Sequence, residues 1–162
     1  MKIRTLALVA TIGLALAACS PTVSRDTGGT PGRLSFGQSV DIAAVGARVS
    51  ALRAQNGLVR PLGHSSALQA AAQAHADDMA RTGNFSHTGS GGSTISTRAR
   101  AASYNACFIA ENIANGQASV AQVFSDWMGS SGHRRNILAP QATQYGFASN
   151  GGYYVLVLGR SC

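Results

Sequence analysis

The closing stretch "QYGFASNGGYYVLVLG" does most to limit what this chain can fold into. Aromatic and β-branched residues flank Asn150-Gly151, a pair suited to the positive φ angles of a tight turn, so an antiparallel hairpin is expected. Three helical patterns precede it. In "SVDIAAVGARVSALRAQNG", Val40, Ala43, Ala44, Ala47 and Ala51 recur at helical spacing and Asn56-Gly57 supplies a stop. A second helix opens on Ser66 and Gln69 as a capping box, carries Leu68, Ala72, His75 and Met79 on one stripe, and ends at Gly83. The third has Ser119 with Gln122 at its start, and Val120, Val123, Phe124, Trp127 and Met128 at i, i+3, i+4, i+7 and i+8. Helices followed by antiparallel strands imply an α+β layered domain. At 162 residues the chain is long enough for one core rather than two.

Between these patterns, "GNFSHTGSGGSTIST" is too rich in Gly, Ser and Thr to be one regular element and reads as a loop carrying His87. A short helix is expected through "RARAASY", then a brief strand around residues 109–114 with Glu111 inside it.

The first eighteen residues, "MKIRTLALVATIGLALAA", place Lys2 and Arg4 ahead of an apolar run, the layout of a secretory signal and too short to span a bilayer comfortably. "LAAC" follows, ending at Cys19, and resembles the lipobox of bacterial lipoproteins; the resemblance implies cleavage before Cys19 and lipid on that cysteine. A plainly secreted protein is the alternative. Residues 20–38, "SPTVSRDTGGTPGRLSFGQ", read as a flexible tether. The expected organisation is a signal over residues 1–18, a lipidated tether over 19–38 and a folded domain over 39–162. Such a chain is exported to the bacterial cell envelope, anchored to the membrane through Cys19, and faces the periplasm or exterior.

Without Lys2 and Arg4, eleven arginines stand against six acidic residues, a net charge of +5. Apart from Arg134 and Arg135 they are scattered, which suits loose attraction to anionic lipid or envelope polymers and not a nucleic-acid footprint. Three cysteines are an odd number for an exported protein. Lipid on Cys19 accounts for one and leaves Cys107 and Cys162 as a pair, closing a loop worth about 4 kcal/mol in the chain-entropy account. A lone catalytic Cys107 is the sharper alternative.

Glu111 is the sole glutamate, set in the apolar run "FIAENIA", where a carboxylate is costly unless paired. His87 and His133 are candidate partners. Their separations from Glu111 match no local metal-ligand signature, so on spacing alone both stand equally well as surface histidines. His75 lies on an apolar helical stripe and reads as a core histidine rather than a ligand.

Taken in order, "LRAQNGLVRPLGHSSALQAAAQAHADDMARTGNFSH", "AENIANG", "WMGSSGHRRNIL" and "YGFASNGGYYVLVLG" resemble the CAP superfamily of cysteine-rich secretory proteins, antigen 5 and pathogenesis-related class 1 proteins, in its compact bacterial form. The resemblance covers nearly all of residues 40–158. It implies an α-β-α sandwich with a central antiparallel sheet and a cleft of two histidines and two acids. Carried over, these are His87 from "FSH", Glu111 from "AEN" and His133 from "GHR"; the second acid falls on Ser130, while Asp126 lies ahead of Trp127. Two imidazoles and one carboxylate could hold a divalent metal such as zinc, with water completing the shell. The resemblance implies binding of lipid or another envelope component in this cleft, with a metal-dependent hydrolase or peptidase and a non-catalytic protein-interaction module as alternatives. Arg134 and Arg135 read as surface or rim cations, and Asn136 as an anchor of the turn after helix three.

Overall fold

The computed structural model describes residues 40–162; the leader, Cys19 and the tether lie outside them. Among the described residues no helix is long and apolar enough to cross a membrane. The elements are α1 (Ile42–Ala54), β1 (Gly63–His64), α2 (Ser66–Thr82), α3 (Ile95–Ala101), β2 (Ala106–Asn115), α4 (Val120–Gly129), α5 (Ser131–Ile137), β3 (Gln144–Asn150) and β4 (Tyr153–Ser161).

The strands form one sheet in the order β1-β3-β4-β2. β3 and β4 are the expected hairpin, antiparallel like the β4–β2 pair, and only the two-residue β1 runs parallel, against β3. The turn sits one residue later than the sequence suggests: Gly151 and Gly152 take φ of 57° and 85°, while Asn150 still pairs with Tyr153. Two glycines meet the demand for two positive φ angles more cheaply than asparagine and glycine.

Alternation along the strands divides the core into two layers. Tyr145, Phe147, Tyr154, Leu156 and Leu158 face α1, α4 and α5, meeting Val45, Val49, Phe124, Trp127 and Ile137. Ala148, Val155, Val157 and Ile113 face α2 and α3, meeting Leu68, Ala72, Ala76, Met79 and Ala99. The α-β-α sandwich is therefore present. α2 approaches β3 so closely that a Cβ on Gly146 would stand 2.2 Å from the backbone of Leu68 and Gln69.

Two local expectations need correction. On α1 the buried residues are Val45, Gly46, Val49 and Arg53, while the alanines at 43, 44, 47 and 51 face solvent. Alanine spacing misleads because alanine is a good helix former on either face. The true face is set by larger partners: Gly46 leaves room for the Tyr145 hydroxyl, which donates to the carbonyl of Ile42. The α2 cap is Ser65, whose hydroxyl accepts from the Leu68 amide, one residue ahead of the expected Ser66.

The Cys107–Cys162 disulfide is formed, with Cα atoms 4.8 Å apart, tying the start of β2 to the chain beyond β4. β2 runs for ten residues, longer than the brief strand expected, because β4 pairs with it along nearly its whole length.

Candidate functional site

Glu111 sits midway along β2, on the face covered by α2, with 3% of its side chain exposed. Both carboxylate oxygens are engaged. Arg98 Nη2, from α3, donates to Oε2 at 2.8 Å, and His87 Nδ1 lies 2.9 Å from Oε1. Burial works to raise the Glu111 pKa; the hydrogen bond from His87, the Arg98 guanidinium and His75 outweigh it and hold the carboxyl below its usual range. Glu111 is therefore an anion that can only accept, so the proton of this contact resides on His87 Nδ1. That leaves Nε2, the other ring nitrogen, outside this contact on a side chain that is 58% exposed.

Three charged groups shape the loop between α2 and α3. Arg98 donates to the carbonyls of Ser93 and His87 as well as to Glu111. Asp78, on α2, accepts from the Ser90 amide at 2.7 Å and pairs with Arg81. The hydrogen bonds from Ser90 hold the Asp78 carboxyl below its ordinary pKa. The loop's shape thus depends on charged anchors, since half-exposed Phe85 is its one large apolar residue.

His75 is wholly buried, as its stripe predicts, but it is no bystander. Its Nε2 lies 3.8 Å from Glu111 Oε1, and Gly89 of the loop packs close to Nδ1, where a Cβ would stand 3.4 Å away. Burial depresses its pKa, against the opposing pull of Glu111. The ring stays neutral behind the carboxylate.

His133 enters from α5. Its ring lies against Trp127, centroids 6.4 Å apart, and its carbonyl accepts from Asn112 Nδ2. Burial lowers its pKa, and His87 lowers it further. Asn136 does more than anchor a turn. Its Nδ2 donates to the Glu111 carbonyl and to Asn112 Oδ1, binding α5 to β2 beside the site. α5 is also held from below by the buried Arg53, which donates to the carbonyls of Ile137, Ala139 and Ala142. Arg134 reaches away to Asn56, and Asp126 accepts from Gln117, so neither joins the cleft. Ser130, at the position of the second acid, precedes α5, makes no capping hydrogen bond with its side chain and brings no charge.

The structure thus joins Glu111 directly to His87, while His133 is tied to β2 through its carbonyl and lies against Trp127. Among the described residues, no three His, Cys, Asp or Glu side chains stand in an arrangement that could hold a metal ion. Of the expected trio, Glu111 is engaged by His87 at Oε1 and by Arg98 at Oε2. The sequence reading missed Arg98 altogether. A signal existed: Arg98 falls three residues after Ile95 and four before Ala102, on the apolar stripe of α3, where a cation needs a buried partner.

Residues 47–157 match the Cysteine-rich secretory protein family, CAP. A search of the curated proteins finds no match. Among solved structures, an extracellular protein containing an SCP domain from Bacillus anthracis is similar with a TM-score of 0.71 and 23% identity, over 74% of this chain and 40% of that one. An outer surface protein of Borrelia burgdorferi gives a TM-score of 0.65 and 19% identity, over 74% of this chain and 92% of that one. A cysteine-rich secretory protein of Staphylococcus aureus gives 0.63 and 19%, over 73% of this chain and 37% of that one. The chain therefore spans well under half the length of the Bacillus and Staphylococcus proteins, and likeness at these identities speaks for the fold alone. With the family matched over most of the domain and the sandwich in place, the chain belongs to the cysteine-rich secretory protein (CAP) family.

Proposed function

We propose that this CAP domain is an exported, envelope-anchored binding protein that holds a lipid or another envelope component at the cleft of His87, Glu111 and His133 without turning it over. The observation that carries this reading is the commitment of Glu111. A general base must be free to exchange a proton with its substrate. A buried carboxylate with both oxygens engaged and its pKa pushed down acts instead as a fixed anion. Here it orients His87, whose other ring nitrogen, with the half-buried His133, offers polar handles to a headgroup or polymer. The hydrolase alternative has less support, since its metal would want three direct donors and the chain offers two imidazoles with a carboxylate behind them.

Native mass spectrometry of the exported chain carrying Cys19→Ser, purified from the soluble fraction, tests the reading. A non-covalent lipid or envelope fragment is expected, lost in His87→Ala and His133→Ala variants that remain folded. Bare protein in every preparation would refute it, and zinc-dependent turnover of an envelope substrate would replace it with the hydrolase. The anchor is checked separately: Cys19→Ser should move the protein from the membrane to the soluble fraction.

A further inference from the structure

Asn112 follows Glu111 on β2 and is wholly buried. Alternation turns its side chain to the opposite face of the sheet from that of Glu111, where it meets α5. A buried amide is costly unless both its ends are bonded, and here both are. Its Nδ2 donates to the His133 carbonyl at 3.0 Å, and its Oδ1 accepts from Asn136 Nδ2 at 2.9 Å. The same Asn136 Nδ2 meets the Glu111 carbonyl at 3.1 Å. A carbonyl can only accept, so the two carbonyls at the ends of this chain of bonds fix which way each amide faces. A leucine could fill the space of Asn112 without desolvating an amide; what it would lack is the directed bond to His133.

α5 needs such a bond. It is seven residues long, Ile137 is its one buried residue, and no side chain caps its start. One apolar anchor does not fix the rotation of a short helix about its axis, so polar ties must do so. Arg53 holds the far end, through the carbonyls of Ile137, Ala139 and Ala142. The end that carries His133 is held from β2, by three successive residues. The Glu111 carbonyl accepts from Asn136, the Asn112 side chain grips the His133 backbone, and the Ile113 carbonyl accepts from Trp127 Nε1 at 3.0 Å. The Trp127 ring in turn backs the His133 ring. Both the backbone of His133 and the wall behind its imidazole therefore take their position from the strand that carries Glu111.

We infer that Asn112 is a positioning residue for the cleft: its amide locks the His133 backbone to β2 beside the carboxylate that orients His87, so that both imidazoles are presented in a set geometry. Asn112 itself touches no bound molecule. The inference rests on the reading of this cleft as a binding site, but the placement of His133 can be measured without any ligand.

The test compares Asn112→Leu with its parent, both as the exported chain carrying Cys19→Ser, by NMR of the histidine ring protons at pH 7.5. The His133 signals should move, because the ring shifts relative to Trp127, while the His87 signals stay, because Glu111 and Arg98 hold that ring from the other face. Met79→Ala loosens the core layer on the α2 side and should leave the His133 signals in place. Unmoved His133 signals in Asn112→Leu, equal movement of both histidines, or the same movement in Met79→Ala would overturn the inference. A measurement on the parent covers the case in which Asn112→Leu fails to fold: the Asn112 side-chain amide protons should exchange slowly with solvent, and rapid exchange would overturn it too. In native mass spectrometry, retention of the non-covalent envelope ligand should fall about tenfold in Asn112→Leu, the equivalent of one lost hydrogen bond. Retention at the parental level would overturn the positioning role. A parent that carries nothing would refute the binding reading alone, and the ring signals would still decide whether Asn112 places His133.

Discussion

Replacing Arg98 with methionine keeps much of the side-chain volume and deletes the charge. The Glu111 carboxylate, 3% exposed, then loses its Oε2 donor at 2.8 Å and keeps only His87. Breaking a buried pair by removing one partner costs about 3–5 kcal/mol, because the remaining charge is left without compensation. The loop also loses two anchors, the bonds from Arg98 to the carbonyls of Ser93 and His87. For a domain of this size, at roughly 4 °C per kcal/mol, the melting temperature should fall by about 12–20 °C. Urea unfolding at pH 7 of the mature chain with Cys19→Ser measures the free energy directly. Glu111→Gln removes the stranded charge, so in the Arg98→Met background it should restore about 2 kcal/mol, a coupling within the usual range for residues in contact. Additive losses in the double variant, or a loss below about 1 kcal/mol for Arg98→Met alone, would show that the pair does not hold Glu111 as argued.

Acid should destabilise the domain through three groups. His75 and His133 have folded pKa values below their unfolded value of about 6.5, so the unfolded chain takes up protons first and stability declines as pH falls below that point. Glu111, also depressed, adds stability above the unfolded carboxyl range that is lost as pH falls through its folded pKa. Urea midpoints between pH 7.5 and 4 check this, and His75→Gln should flatten the upper part of the slope; an unchanged slope would count against a neutral buried His75. Gly146→Ala drives a Cβ into the backbone of α2 and should cost about 3 kcal/mol, whereas Gly132→Ala, with nothing within 4 Å, should be neutral or stabilising by up to about 1 kcal/mol. Equal melting temperatures for the two variants would contradict the close α2–β3 approach. Thiol labelling of denatured, unreduced protein should find Cys107 and Cys162 blocked, and reduction should lower the melting temperature by no more than the equivalent of about 4 kcal/mol while leaving the domain folded.

Much of this architecture could be read from side-chain periodicity. Val123, Phe124 and Trp127 are buried on α4, and Leu68, Ala72, His75 and Met79 on α2, where large or consistently spaced residues leave one choice of face. α1 was misread because its alanines carry almost no directional information, and the decisive partner, Tyr145, is about a hundred residues away. The site divides along the same line. Glu111 announces itself as a lone carboxylate among apolar residues, and His87 follows from the order of motifs. Arg98, Asn112 and Asn136 join the site through contacts made only once α3 and α5 dock on β2. Their roles are set by tertiary placement, which the local pattern records only as an arginine on an apolar stripe, an amide within a strand and another near a turn. That a guanidinium meets one of the Glu111 oxygens is not written in the local sequence around it.

β2 forms one border of the sheet, and a bare border strand is an invitation to another chain. Here that border is claimed by side chains: Trp127 Nε1 donates to the Ile113 carbonyl and Asn136 Nδ2 to the Glu111 carbonyl. At the other border β1 is two residues long, too short to template a neighbour. A protein finished in this way can stand at high local density without exchanging strands with its copies. Loss of the Asn136 amide should therefore show itself first as self-association on concentration, before any loss of the folded domain.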